Sequence, residues 1–185
     1  GDQTPTNTTP ILDLRGCTSL SGLTLPSVVK SGQTHFSVHD CNLSGSLDLS
    51  NYTGLMKFDV SQNSGLTSLT LPTTISTQTL TDASMFGFSS QKTFQLNQCD
   101  LGYVDFKPMS GVTLNSSSTI YLQDNGMAAG EVNNVLVDFV TTTWDDVTLD
   151  ISGTNSAPDS SSGGYDGVAA LSTLTGGTRN WIVTT

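Results

Sequence analysis

Three cysteines, two histidines and a set of aspartates are the residues of this chain that could do chemistry. Cys17, Cys41 and Cys99 invite a metal or redox role. No Cys-x-x-Cys pair is present, which leaves a zinc site with little support, and an odd count leaves one thiol outside any pairing scheme. We read all three as buried structural thiols, with a bridge between Cys17 and Cys41 as the minor reading. His35 and His39 flank Phe36-Ser37-Val38 beside Asp40, but two imidazoles without a defined third ligand make a weak metal site. Solvated surface histidines are the expectation. The Asp124-Asn-Gly turn and the run 159–166 offer carboxylates to Ca²⁺ without the spacing of an EF-hand. Asp48 and Asp59 would act as a glycosidase pair only with a geometry that spacing cannot supply. No Gly-x-Ser-x-Gly nucleophile elbow is present. The reading is a non-enzymatic chain without metal or cofactor.

The elements that would position these residues recur. Residues 55–71 read Leu-x-x-Phe-x-Val-x-x-Asn-x-x-Leu-x-x-Leu-x-Leu, an apolar-x-apolar strand, a turn residue, then leucines that fill the space to the next strand. One series of such strands is Leu12-Asp-Leu14, Phe36-Ser-Val38, Phe58-Asp-Val60, Phe94-Gln-Leu96, Ile120-Tyr-Leu122 and Leu149-Asp-Ile151. Three residues past the first five of these stand Cys17, Cys41, Asn63, Cys99 and Asn125, a turn ladder whose small polar side chains meet backbone groups that no sheet partner reaches. A second series, Leu23-Thr-Leu25, Leu47-Asp-Leu49, Leu69-Thr-Leu71, Phe86-Gly-Phe88 and Val104-Asp-Phe106, alternates with the first.

The spacing predicts a mainly-β fold: a flattened leucine-rich-repeat-like solenoid with short parallel strands on two faces, closed by a C-terminal α/β cap. Residues 1–10 read as a polar arm, 11–127 as the solenoid, and 128–185 as the cap, continuous with it. Bulged loops are expected at 73–91 and 107–119. Within the cap, Val132, Val135, Leu136, Phe139 and Val140 mark one face of a helix. Val168, Leu171 and Leu174 mark a second, stopped by Gly176-Gly177, and residues 181–183 a final apolar strand. The middle strand positions point outward: Asp13, Ser37, Asp59, Gln95, Tyr121 and Asp150 in one series, Thr24, Asp48, Thr70 and Asp105 in the other. They form the candidate recognition face for a polar partner such as a glycan; the competing reading is that they keep the strands soluble. Tyr52, Phe86, Phe88, Tyr103 and Trp144 are the candidate exposed aromatics; Phe86 and Phe88 either pack a bulged coil or anchor a neighbouring subunit.

Composition bounds the partners. Six basic against sixteen acidic residues give a net charge of −10, too few scattered cations to track phosphates. Nucleic acid is not an expected partner. No apolar run is long enough to span a bilayer, and no charged-then-apolar leader is visible.

The Cys-x-x-Leu-x-x-Leu-x-Leu-Pro run at 17–26 resembles leucine-rich repeats of bacterial surface proteins. The segments Asn133-Asn-Val-Leu, Leu149-Asp-Ile-Ser-Gly-Thr-Asn, Gly167-Val-Ala-Ala-Leu and Trp181-Ile-Val-Thr-Thr resemble a terminal module of phage structural and bacterial surface proteins. Arg179-Asn180 stands where that module carries a glycine before the Trp. The resemblance implies recognition, adhesion or particle assembly. The expectation is a virion surface protein of a bacteriophage, as capsid decoration or tail/fibre component, contacting virion subunits, its own copies or cell-surface glycan. The alternative is a secreted bacterial adhesin domain, and the expected location is accordingly virion surface or extracellular.

Overall fold

Three-residue strands with one inward apolar side chain pair in register, and the repeats make them do so again and again. The computed structural model describes residues 11–20, 22–27, 35–55, 57–73, 93–111, 114 and 118–185. The expected arm at 1–10, most of the loop at 73–91, and the Phe86–Phe88 segment lie outside them. The main sheet comprises β1 (Ile11–Asp13), β2 (His35–Ser37), β4 (Lys57–Asp59), β6 (Thr93–Gln95), β7 (Thr119–Tyr121), β8 (Thr148–Asp150) and β9 (Ile182–Thr184), all parallel and in that order. Leu12, Phe36, Phe58, Phe94, Ile120, Leu149 and Val183 are register partners. From Phe36 to Leu149 this row is buried, and Phe58 stacks on Phe94 with ring centroids 4.7 Å apart.

The other strands, β3 (Ser44–Asp48) and β5 (Gly65–Thr70), pair parallel in a sheet of two, with an irregularity between Gly45 and Ser46. Among the described residues, two α-helices complete the fold, α1 (Ala129–Thr141) and α2 (Gly167–Thr175). The described residues make an α/β fold with a seven-stranded parallel sheet and these two helices. It corrects the mainly-β, closed solenoid with strands on two faces. Of the second series, β3 and β5 pair, while two other described members do not. Leu23-Thr-Leu25 stays irregular; the Pro26 that follows it is not the reason, because β5 forms although Pro72 follows Leu71 in the same way. Val104-Asp-Phe106 is also irregular, because a side chain on α1 occupies its backbone: Phe106 N donates to Asp138 Oδ2 at 3.4 Å. Beyond β7 the connections are helical, as parallel strands usually require.

α1 buries Val132, Val135, Leu136 and Phe139, the face that the periodicity marks. Its first turn is closed by Glu131 Oε2, which accepts from Ala128 N (2.8 Å). Its last carbonyls accept from Arg179, at Phe139 O (2.9 Å) and Thr142 O (2.8 Å), a cation where the helix dipole favours one. The Arg179 that departs from the terminal-module pattern therefore has a structural task. Phe106, Phe139, Trp144 and Trp181 form an aromatic cluster under the helix, and Trp181 Nε1 donates to Trp144 O at 2.7 Å. α2 differs from its expected face: Ala170 and Leu174 are buried, whereas Val168 is 52% exposed. Tyr52 and Trp144, candidate exposed aromatics, are buried, and Tyr103 is half-buried with its hydroxyl 2.5 Å from Asp138 Oδ2.

The turn ladder ties these repeats together. Cys41 Sγ donates to Leu14 O (2.8 Å), Asn63 Nδ2 to Val38 O (2.9 Å), Cys99 Sγ to Val60 O (3.2 Å) and Asn125 Nδ2 to Leu96 O (2.9 Å). Each reaches the last inward residue of the preceding strand. Asn63 Oδ1 also accepts from Cys41 N and Leu43 N, at 3.2 and 2.9 Å. Asn155 makes the fifth rung, donating to Leu122 O and accepting from Asn125 N and Met127 N. Just before the rung, or two before Asn155, stands a residue with positive φ: Asp40, Gln62, Gln98, Asp124 and Gly153. Gly153 is required as glycine, since φ is +79° and a Cβ there would meet Asp124 Oδ1 at 2.1 Å. Cys17 holds the ladder position but is exposed, correcting its expected burial.

Asn63→Ala strips partners from buried Cys41 N, Leu43 N and Val38 O, and should cost about 3 kcal/mol. Thermal melting should show a midpoint lower by roughly 6–12 °C; an unchanged midpoint would refute the ladder's role.

Candidate functional site

The outer face of β1, β2, β4 and β6 forms a groove enclosing about 660 Å³, open solvent included. Parallel register aligns its side chains in two rows. Asp13, Ser37, Asp59, Gln95, Tyr121 and Asp150 continue one row across successive strands. His35, Lys57 and Thr93 form the other. The first four of the expected recognition face, Asp13, Ser37, Asp59 and Gln95, thus line one site with Arg15, His35, Lys57 and Thr93. Tyr121 and Asp150 stand beyond it on β7 and β8. The second series does not join it. Asp48 and Thr70 are register partners on β3 and β5, while Thr24 and Asp105 sit on irregular segments.

Several of these carboxylates close turns. The backbone N–H two residues on donates to Asp13 (3.1 Å), Asp48 (2.8 Å), Asp59 (3.0 Å), Asp105 (3.0 Å) and Asp150 (3.1 Å). This bond ends the strand and starts the turn. Asp13 is further held by Arg15, whose Nη2 lies 2.6 Å from Oδ2 and whose Nε reaches both oxygens. The guanidinium keeps the Asp13 carboxyl below its usual range, and Asp59 lies near enough to add to the stabilisation of the Arg15 cation. Being largely exposed, that pair adds little to stability. On Asp59, the Ser61 N–H and hydroxyl both meet Oδ1, at 3.0 and 2.5 Å. Oδ2 is therefore the oxygen through which Asp59 can meet a ligand. Ser37 Oγ is buried, with no hydrogen-bond partner among the described residues.

Neither histidine is a plain surface residue. His35 is 6% exposed, and burial, then the charge of Lys57, lowers its pKa. Burial also lowers that of Lys57. His39 is half-buried, with Nδ1 2.9 Å from Ser61 Oγ. His39, Ser61 and Asp59 do not make a nucleophile relay: a triad places imidazole between carboxylate and hydroxyl, whereas Ser61 donates directly to Asp59. Asp159, a candidate Ca²⁺ ligand, instead accepts from Ser161 N, Ser162 N, the Ser162 hydroxyl and Asn133 Nδ2. These bonds, led by the Ser162 hydroxyl, hold its carboxyl far below the ordinary range. Asp124 Oδ1 likewise accepts from Thr154 N (3.0 Å). Among the described residues no cluster of three or more His, Cys, Asp or Glu side chains could hold a metal, and no helix is long and apolar enough to cross a membrane.

The sequence reading missed Arg15, Lys57 and Thr93, and took His35 for a solvated surface residue. A signal existed for two of them: Lys57 and Thr93 each stand one residue before the inward Phe of their strand, as His35 does.

Because folding lowers the pKa of His35, the unfolded chain binds the extra proton as pH falls below the ordinary value of 6.5. The His35 contribution should be fully present well above that pH and be lost progressively as pH falls through and below it. His35→Gln should flatten this window in thermal melts, and an unaltered pH slope in the variant would contradict the assignment.

Comparison with family models, curated proteins and solved structures returns no match for the chain.

Proposed function

We propose that the chain is a non-catalytic recognition module that takes a hydroxyl-rich ligand, a glycan, in the groove over β1, β2, β4 and β6. The observation that carries this reading is the gathering of Asp59, Gln95, Thr93, Lys57 and Arg15 on one concave sheet face. A carboxylate and an amide supply paired acceptors and donors to vicinal hydroxyls, while the cations supply donors alone. Tyr121, half-buried and next in register to Gln95, adds an aromatic ring at the rim. The turn bonds hold the aspartates in fixed positions, so little side-chain freedom is lost on binding.

The setting we propose is the surface of a bacteriophage particle, as capsid decoration or tail/fibre component. It rests on the resemblance of the repeats and of the C-terminal segments to surface and phage structural proteins. The net charge of −10 is in keeping with a partner that is neither nucleic acid nor an anionic membrane.

A glycan array followed by titration tests the groove. Gln95→Ala and Asp59→Asn should each weaken binding at least about tenfold, the loss of roughly one good polar contact. Asn retains the oxygen that Ser61 N needs, so the thermal midpoint should hold. Binding undiminished in both variants, or no glycan retained, would overturn the reading. Quantitative mass spectrometry of purified particles and of cell envelopes tests the setting: recovery from envelopes alone would favour the adhesin.

A further inference from the structure

The apolar residues of the first repeat are less completely buried than those of the second. Leu12, Leu14, Leu20, Leu23 and Leu25 pack only partly, whereas Phe36, Val38, Leu43, Leu47 and Leu49 of the second are buried. Between these two repeats stand Cys17 and Cys41. Leu14 N donates to Ser37 O and Gly16 N to His39 O, both at 2.9 Å, so the parallel register of β1 and β2 runs on into the turn. With Asp13 paired to Ser37, counting four residues onward sets Cys17 opposite Cys41. Both converge on one carbonyl: Leu14 O accepts from Cys17 N (3.2 Å) and from Cys41 Sγ (2.8 Å). Adjacent strands run about 5 Å apart, inside the ~4.4–6.8 Å Cα separation that a disulfide spans.

We propose that Cys17 and Cys41 are a redox modification site, closed to a disulfide by small-molecule disulfides, which staples the first repeat to the second. The two thiols are unequal in access. Cys17 is exposed and lines an open depression with Gly16, Thr18, Ser19 and Leu20, while Cys41 is buried. Burial also raises the Cys41 pKa, with Cys17 itself among the neighbours that influence it. Cys17 therefore reacts first. Its thiolate attacks one sulfur of R–S–S–R, that S–S bond breaks, and one RS⁻ leaves. The Cys41 thiol then gives its proton to solvent and attacks the Cys17 sulfur, expelling the second RS⁻. Two protein thiols are oxidised to one disulfide, and R–S–S–R is reduced to two RSH. Cys99 lies two repeats further on, buried, with Sγ bonded to Val60 O, and is the internal control.

The test is oxidation of the purified chain with oxidised glutathione, alkylation after unfolding, and tryptic mass spectrometry without reductant. Cleavage after Arg15, Lys30 and Lys57 should yield peptide 16–30 joined to peptide 31–57, lighter by two hydrogens than the separate pair, with Cys99 alkylated. Oxidation should raise the thermal midpoint by about 5 °C or more, and reductant should reverse it. Cys17→Ser and Cys41→Ser should both abolish the shift; the second keeps a hydroxyl donor for Leu14 O. Three results would overturn the proposal: glutathione retained on Cys17 with Cys41 alkylated, dimers linked through Cys17, or a midpoint that oxidation leaves unchanged.

Discussion

Strands of three residues are too short to hold a sheet by their own hydrogen bonds, and in this chain a turn side chain supplies what they lack. From Cys41 to Asn155, one side chain in each described repeat donates to the carbonyl that ends the preceding strand. At Val38, Val60, Leu96 and Leu122 that carbonyl belongs to a buried residue just past the strand, so an unmet bond there would be costly. Asparagine does more than cysteine. Its oxygen also collects backbone N–H groups of the turn, as Asn63 does for Cys41 and Leu43. Cysteine fills the position with a small apolar body and one weak donor.

The same turn fixes the candidate groove. A carboxylate two residues ahead of a turn N–H ends the strand, and because β1, β2 and β4 are in register, Asp13 and Asp59 arrive on the same face. Structural and recognition duties therefore fall on the same side chains. Asp13 gives both oxygens to Arg15, while Asp59 takes its turn bonds on one oxygen. The groove is polar because the turns require polar residues, and that order explains why most of the outward aspartates have no place in it.

The apolar-x-apolar triplets and the ladder residues from Cys41 to Asn125 were legible in the sequence because each repeat places them at the same offset. Asn155 escaped because Gly153 adds a residue to its turn and moves the rung from the third to the fourth place. The second series looked as regular as the first, yet among the described residues only β3 and β5 of it pair; the reach of Asp138 from α1 to Phe106 cannot be weighed by spacing. His35 reads as outward by alternation and is nevertheless buried, which alternation along one strand cannot show. The helix α1 was plain from its apolar period, whereas the closure of its C-terminus by Arg179, from 37 residues beyond Thr142, was not.

Native-state amide hydrogen exchange by NMR tests the ladder most directly. The turn amides of Cys41 and Leu43, bonded to Asn63, and of Asn125 and Met127, bonded to Asn155, should be protected to the same degree as the amides of neighbouring strands. In Asn63→Ala the first pair should lose that protection while the second keeps it. Exchange of all four at the rate of open loops in the natural chain would contradict the claim that these side chains hold the repeats together.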